Sequence, residues 1–236
     1  MPMNPSVFMT DIWPALALTL KLASCTTVVL LLVAIPLAHW LNHSRSRIRP
    51  VIELLVSLPI VLPPTVIGFY LLILMSPQHV LGHAWQQLFG TPLPFSFAGL
   101  VVGSTLYSLP FAVQPIQTGF RGVDPALIES AAALGTPGWV VLRSVIMRSA
   151  WHAVMTGGML SFAHTVGEFG VVLMLGGNIP GATRVASIAL YDQVQQLNYG
   201  TANAIALVLL LISFILLALI AVVRGNGHSM QPRLPF

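Results

Sequence analysis

Two ionisable side chains lie inside a long apolar stretch of the chain, where a charge has little water to solvate it. Glu168 stands between Gly167 and the pair Phe169-Gly170, and His164 precedes it by about one helical turn. An ionisable group inside a membrane-spanning segment is a candidate for function by default. Two interpretations of Glu168 stay open: it belongs to a gate or pore lining, or it is a charge near the outer membrane interface that pairs locally.

The neighbours of Glu168 predict how the first interpretation would work. A hydrogen bond from Thr165 or His164 would hold the carboxylate to one side, and Phe169 would supply an apolar plug. The flanking glycines permit an approach of helices that larger residues would block. The sequence therefore predicts either that helices from two copies of the chain pack closely at this place or that the backbone lines a cavity.

Motifs that would make the chain an enzyme are missing from the sequence. A Walker A loop needs a lysine after its glycines to reach nucleotide phosphates, and the only lysine, Lys21, lies inside an apolar segment. There is also no H-E-x-x-H pair, no G-x-S-x-G elbow and no Cys/His cluster. We predict no catalytic residue, no metal site and no cofactor bound by this chain. If ATP drives the protein, a second polypeptide must hydrolyse it.

The composition is that of a membrane protein. Hydrophobic residues make up 56% of the 236 residues and charged residues only 7%, whereas a soluble globular chain carries about 25% charged residues. The net charge of +4 is therefore no sign of a nucleic-acid partner, because the basic residues concentrate in a few short loops. The partner that the composition predicts is the lipid bilayer.

Five apolar segments are long enough to cross a bilayer. They cover about residues 14–40, 51–75, 97–118, 152–175 and 202–223. Proline removes a backbone donor and clashes with the preceding turn, so the second span should kink or open near Leu62. We also expect kinks at Pro110 and Pro115 in the third span. The fourth should be interrupted at Gly157-Gly158 and again at Gly167-Glu168-Phe169-Gly170.

Basic residues predict the orientation of these spans. Eight of the ten Lys and Arg residues fall on one side of the five-span arrangement, the exceptions being Lys21 and Arg184. Basic loops stay in the cytoplasm. We therefore place the segment 1–13 outside, and the loop 119–151 and the tail 225–236 inside. Short helices over 80–89 and 185–197 should lie at the outer surface.

The loop 119–151 carries helix start and stop signals of its own. Asp124 is an N-cap and Pro125 occupies the first helical position, so a helix should run to Leu134, where Gly135 suits a left-handed C-terminal cap. Thr136-Pro137 repeats the start signal, and a second helix should reach about Ala150. Neither helix is long enough to span a bilayer. The pair should lie at the membrane surface.

Three stretches of the sequence resemble a known family. Glu129-Ser130-Ala131, Gly135, Val145 and Met147 match in spacing the EAA loop of ABC-transporter permeases, although Ser130, Met147 and Arg148 stand where that loop has Ala, Leu and Pro. The stretches Leu58 to Gly68 and Gly167 to Val172 narrow the likeness to molybdate permeases. Sulfate, tungstate, phosphate and ferric-ion permeases share the loop but match Leu58 to Gly68 less well.

This resemblance implies an all-α, polytopic permease of the type I importer class in the bacterial inner membrane, with its N-terminus outside. It implies a homodimer, two ATPase subunits that use ATP, and a periplasmic binding protein that delivers molybdate. The ATPase would contact the loop through a set of residues on its helices: Asp124, Glu129, Ala131, Ala132, Gly135 and Val145. The path or gate would use residues near the two breaks: Pro63, Pro64, Thr65, His164, Thr165, Gly167, Glu168, Phe169 and Gly170.

Two alternatives stay open at the level of sequence. Another oxyanion or a metal could be the substrate, because selectivity would reside in the binding protein. A secondary transporter driven by an ion gradient would instead use Glu168 and His164 as a proton relay. The helix-turn-helix loop and the lack of a second buried carboxylate favour the ATP-driven class.

Overall fold

The structure is a computed structural model that describes residues 12–228, with side chains up to residue 223. The described part is helical and contains no strand. The helices that form the membrane-embedded body are α1 (Trp13–His43), α2 (Arg49–Val61), α3 (Pro64–Met75), α4 (Val80–Phe89), α5 (Phe97–Arg121), α9 (Trp151–Gly167), α10 (Gly170–Gly176), α11 (Ala186–Gln195) and α12 (Tyr199–His228). The loop between α5 and α9 holds α6 (Pro125–Ala133), α7 (Gly138–Val141), a π-helical turn (Leu142–Ile146) and α8 (Met147–Ser149).

Three helices, α1, α5 and α12, are each long and apolar enough to cross a membrane. Two further spans are broken pairs, α2 with α3 and α9 with α10, bent by 119° and 63°. Counting each broken pair as one span gives five. The all-α polytopic fold predicted from the sequence is confirmed, while the predicted N-terminal segment 1–13 and tail 225–236 lie almost wholly outside the described residues.

The break in the second span falls at Leu62, as predicted. Leu62 has an extended backbone (φ −76°, ψ 138°), and so has Pro63 (φ −55°, ψ 136°). A residue before proline is pushed out of the helical region, and here two such residues follow one another. The chain therefore leaves α2 in an extended conformation and restarts with Pro64 at the first position of α3.

The predicted interruption at Gly157-Gly158 of α9 does not occur, and α5 is continuous at Pro110 and Pro115, where kinks were predicted. The glycines serve close packing instead, since a Cβ at Gly157 would lie 3.0 Å from the Ala112 carbonyl oxygen of α5. Small residues let membrane helices approach in this way.

The core of the bundle is formed by α1, α5 and α9. Fully buried small residues on α1, Ala34 and Ala38, face Ala112 and Val113 of α5. At the other end of the bundle, the broken half-helices α3 and α10 pack with α5 around Val171 and Leu175. The unbroken helices thus form a scaffold against which the two broken spans are held.

The two helices predicted at the outer surface differ from each other. Helix α4 is mostly exposed, as expected, with Val80 89% and Leu88 79% exposed. Helix α11 is instead part of the core, because Ala186 and Ile188 are buried and the Ala186 amide donates to Thr19 Oγ1 of α1 over 2.8 Å. The helix predicted over 185–197 forms at Ala186–Gln195, and it buries one face against α1 while Tyr191 and Val194 are exposed.

Candidate functional site

The first helix of the loop forms as its sequence predicts. The Asp124 carboxylate accepts a hydrogen bond from the Ala126 amide over 2.9 Å, and Gly135 has a φ of +70° directly after the helix. The Thr136 amide then donates to the Ala131 carbonyl over 3.2 Å. Both helix ends are therefore closed by bonds within the loop, which makes α6 a locally determined unit.

The second loop helix begins after Pro137, as predicted, but contains an unpredicted π-helical turn at Leu142–Ile146. Ile146 is buried against the core, and Val145 packs beside it. A π turn adds one residue to the helix. The side chains after it therefore point in a different direction than they would on a regular α-helix. Of the predicted loop contacts, Glu129 and Ala132 are exposed, whereas Ala131 and Val145 partly face the protein itself.

Three exposed apolar side chains on the loop were missed by the sequence analysis. Leu134 is 85% exposed, Trp139 67% and Leu127 50%. Large apolar residues exposed together on a rigid loop indicate a surface that is covered by another protein. Their position in a polar loop, away from any span, could have indicated from the sequence that these apolar side chains are exposed.

A polar network ties the base of the loop to the spans. Glu53 Oε1 on α2 accepts hydrogen bonds from Arg49 at 3.3 Å and from Gln117 of α5 at 3.0 Å, and Arg121 reaches the same oxygen at 3.4 Å. Asn42 at the end of α1 links Gln117 and Arg121 at 3.0 Å each. Two spans, α2 and α5, thus meet at one carboxylate, and the end of α1 is bonded to its α5 partners, beside the start of the loop.

A cavity of about 470 Å³ lies where the two broken spans meet. Seven of the nine residues that the resemblance placed at the path line it: Pro64, Thr65, His164, Gly167, Glu168, Phe169 and Gly170. Tyr107 and Ala163 complete the lining. The two breaks, about a hundred residues apart in sequence, therefore form one site, here called the outer cavity.

The half-helices α3 and α10 touch closely beside this cavity. A Cβ at Gly170 would lie 2.6 Å from the Pro64 Cβ, and one at Gly68 would lie 2.8 Å from the Met174 Cβ. Contacts this short exclude any side chain at either glycine. This close contact joins the two broken spans of one chain, whereas the predicted contact between two copies stays a prediction.

Glu168 is buried at the break, with 5% of its surface exposed. Neither carboxyl oxygen has a hydrogen-bond partner among the described residues, and the buried Ser104 hydroxyl has none either. The predicted bond from Thr165 or His164 to this carboxyl is absent, because both side chains engage Ser108 on α5 instead. The bond that anchors this turn is from Ser187 Oγ to the Glu168 carbonyl oxygen, at 2.6 Å.

A second, larger cavity of about 900 Å³ lies nearer the loop, between α2, α5 and α9. It is here called the inner cavity. Its polar lining side chains are Gln114, Thr118, Ser149, His152 and Thr156, none of which the sequence analysis singled out. Gln114 and Thr118 are exposed although they lie in a spanning helix. Exposed polar groups within a span line water-filled space rather than contact lipid.

The arrangement as a whole is that of a membrane transport subunit, because broken spans enclose polar cavities and a rigid loop projects from one end. Comparison with known proteins agrees with it. The chain belongs to the family of binding-protein-dependent transport system inner membrane components, whose model matches residues 30–225. It is therefore the permease component of such a system rather than an enzyme.

Similar proteins include permease proteins of molybdenum and sulfate transport systems. The chain is 48% identical to the molybdenum transport system permease protein ModB of Azotobacter vinelandii over 203 residues, 86% of this chain and 90% of that protein. It is 32% identical to the sulfate transport system permease protein CysT of Escherichia coli (strain K12), over 77% of this chain and 65% of that protein.

The fold also matches solved structures. A bacterial ABC transporter involved in the import of the acidic polysaccharide alginate matches with a TM-score of 0.73 at 16% identity, covering 98% of this chain and 85% of that chain. At this identity the likeness concerns the fold alone.

Proposed function

We propose that this protein forms the translocation path for molybdate in an ATP-driven importer. The single observation that supports molybdate as the substrate is the 48% identity to a molybdenum permease over most of both chains. Sulfate is the second candidate, because the sulfate permease is 32% identical. Both ions are tetrahedral oxyanions, so the path need only admit a doubly charged anion of that shape.

The path runs along one face each of α5 and α9. On α5, Tyr107 lines the outer cavity and Gln114 and Thr118 line the inner one. On α9, His164 lines the outer cavity and His152 lines the inner one. The two helices run in opposite directions. Along both of them, the residues that line the outer cavity therefore lie farther from the loop 119–151 than those that line the inner cavity. No Lys, Arg or ion pair occurs among the lining residues of either cavity, which suits passage without tight binding.

A second copy of the chain would close the open side of this path. One chain has five spans at most, and polar Gln114 and Thr118 remain exposed on α5. Two ATPase subunits would then dock on the two loops through Leu134 and Trp139. A periplasmic oxyanion-binding protein would deliver the ion to the outer face.

ATP binding would move the loops as rigid units, because α6 is closed by its own caps at both ends. The network around Glu53 would pass that movement to α1, α2 and α5. The spans would thereby alternate between access from outside and from inside.

Reconstitution tests this proposal. The chain is purified with its candidate ATPase, placed in liposomes that contain ATP, and supplied with molybdate-loaded binding protein outside. Molybdate uptake should require all three proteins and ATP, and unlabelled tungstate should compete better than sulfate. Uptake that persists without the ATPase and follows an imposed proton gradient would identify a secondary transporter instead.

The proposed orientation is tested separately with reporter fusions. A reporter fused after Arg49 or near Pro137 should be cytoplasmic, and one fused near His83 should be external. The opposite pattern would remove the loop from the side where ATPase subunits are found.

A further inference from the structure

A stack of rings joins residues that line the inner cavity to residues that line the outer cavity. The ring of Phe111, which lines the inner cavity, stacks on that of His164, which lines the outer cavity, with centroids 3.9 Å apart and planes inclined by 24°. Tyr107 packs against His164 with centroids 4.9 Å apart. The three side chains lie on the faces of α5 and α9 that line the path, so the stack lies where the two linings meet.

A directed chain of hydrogen bonds fixes the middle ring. Thr165 Oγ1 donates to the Ser161 carbonyl oxygen over 2.9 Å, so it must accept from Ser108 Oγ, 3.2 Å away. Ser108 Oγ has then used its only proton and must accept from His164 Nδ1, at 2.9 Å. The network therefore assigns the proton of neutral His164 to Nδ1. Ser108 and Thr165 are both buried, which makes this orientation hard to exchange for water.

The break in the second span lies at the same level. Ile60, at the end of α2, lines the inner cavity, whereas Pro64 and Thr65, at the start of α3, line the outer one. The extended residues Leu62 and Pro63 connect the two sides of the ring stack. Movement of α2 relative to α3 would therefore change the space in front of the stack.

We propose that the stack of Phe111, His164 and Tyr107 is the barrier that closes the path between the two cavities, with Ser108 as the residue that positions the His164 ring. This rests on the proposed function, since it assigns a role within that path. The sequence analysis placed the plug at Phe169, whereas the cavities place it one to two turns deeper, at His164.

A barrier of this kind suits a doubly charged anion. The rings offer no cation, and the one polar hydrogen of His164 is already donated to Ser108. Apart from the Tyr107 hydroxyl, the rings offer an oxyanion no donor that replaces the water it would lose on passing them, which is costly. Opening the path then requires separating α5 from α9 or tilting the rings apart, which gives the ATPase control over release.

Cysteine accessibility tests the barrier. Starting from a Cys25→Ala chain, which removes the only native cysteine, single cysteines are placed by Thr118→Cys in the inner cavity and Thr65→Cys in the outer cavity. Both positions are exposed in the described chain. Sealed inverted vesicles, in which the loop faces the medium, are treated with a membrane-impermeant, negatively charged methanethiosulfonate reagent without nucleotide, and the labelling rates are measured.

The cysteine from Thr118→Cys should react fast in every background, and that from Thr65→Cys only slowly. Adding Phe111→Ala should raise the rate at position 65 on the order of tenfold and leave the rate at position 118 unchanged. Phe111→Trp should keep position 65 protected. Phe162→Ala is the matched control, because Phe162 lies on α9 but lines neither cavity.

Ser108→Ala should raise the rate at position 65 by less than Phe111→Ala does, because it loosens the ring without removing it. Ser108→Thr, which keeps the hydroxyl, should restore protection. If Ser108 mattered only for folding, Ser108→Ala would alter labelling at both positions 65 and 118. The hydroxyl of Ser108→Thr would then not restore protection.

Failure of the barrier and failure of the proposed path are distinguishable. Slow labelling at position 118 would mean that the inner cavity is not part of an aqueous path, and the proposed function would be wrong. Fast labelling at 118, with equal rates at 65 in the Phe111 and Phe111→Ala chains, would leave the path intact and overturn the barrier. If Phe111→Ala reduces the amount of folded protein, the Ser108→Ala and Ser108→Thr pair decides the question.

Discussion

The loop 119–151 and the break region, meaning the residues around Leu62 to Thr65 and Gly167 to Gly170, are built in opposite ways. Helix α6 has no buried residue, and its ends are closed by hydrogen bonds between residues close in sequence. The break region contains the buried residues Glu168 and Gly170, and its contacts join residues about a hundred positions apart, such as Pro64 and Gly170. The comparison teaches that the loop is shaped for contact with another protein, whereas the breaks are shaped by the fold around an internal cavity.

The largest effect should follow from filling the contact between the broken spans. In Gly170→Val the new Cβ would meet the Pro64 Cβ at 2.6 Å, and overpacking of this kind costs on the order of 1–3 kcal/mol. We expect a lower unfolding temperature in detergent and loss of uptake. Gly167→Ala is the control, since nothing lies within 4 Å of a Cβ there. Equal effects of the two variants would show that the contact does not matter.

The next effect concerns the exposed face of the loop. Trp139→Ala should weaken binding of the ATPase by about 1–2 kcal/mol, the range of a modest hot-spot residue, without lowering the stability of the isolated chain. Co-purification of the ATPase at increasing salt measures the binding. Leu88→Ala on α4, which removes a similarly exposed apolar side chain, should leave ATPase binding unchanged. A loss of stability in Trp139→Ala would instead mean that the tryptophan is part of the core.

A smaller effect is expected at the end of α6. Gly135→Val places a β-branched residue at a φ of +70°, at a cost on the order of 1 kcal/mol. The loop should lose its fixed turn, so ATPase binding and uptake should fall while membrane insertion stays normal. Gly138→Ala is the control, because Gly138 has no positive φ and open space around it. Normal uptake in Gly135→Val would show that the loop is not the coupling element.

These two regions also show how much can be predicted from the sequence. The loop was predictable nearly to the residue, because caps such as Asp124 and Gly135 act within a few positions of the helix ends. The break at Leu62 was predictable for the same reason. The stacking of Phe111 on His164 could not be predicted, because it depends on how α5 and α9 align in space. The missing partner of Glu168 has the same origin: the Ser108 hydroxyl, more than fifty residues away, accepts from His164, while Thr165 donates to the Ser161 carbonyl oxygen.

The smallest effect should come from the network that joins the two regions. In Glu53→Gln the hydrogen bond to Gln117 can be kept, while the attraction to Arg49 and Arg121 is lost. An ion pair that is a third exposed contributes at most about 1 kcal/mol. We expect a slight fall in stability and a larger fall in the ATP hydrolysis that molybdate-loaded binding protein stimulates. Unchanged stimulation would limit the network to a structural role.

The central claim is that an ATPase acting on the exposed loop changes the geometry at the buried breaks. Cross-linking between two copies tests it most directly, with Phe169→Cys in the Cys25→Ala chain and the ATPase bound. The account predicts a high yield of cross-linked dimer without nucleotide and a much lower yield when a non-hydrolysable ATP analogue is trapped. Equal yields in the two states would contradict it, because the break region would then be static while the loop is driven.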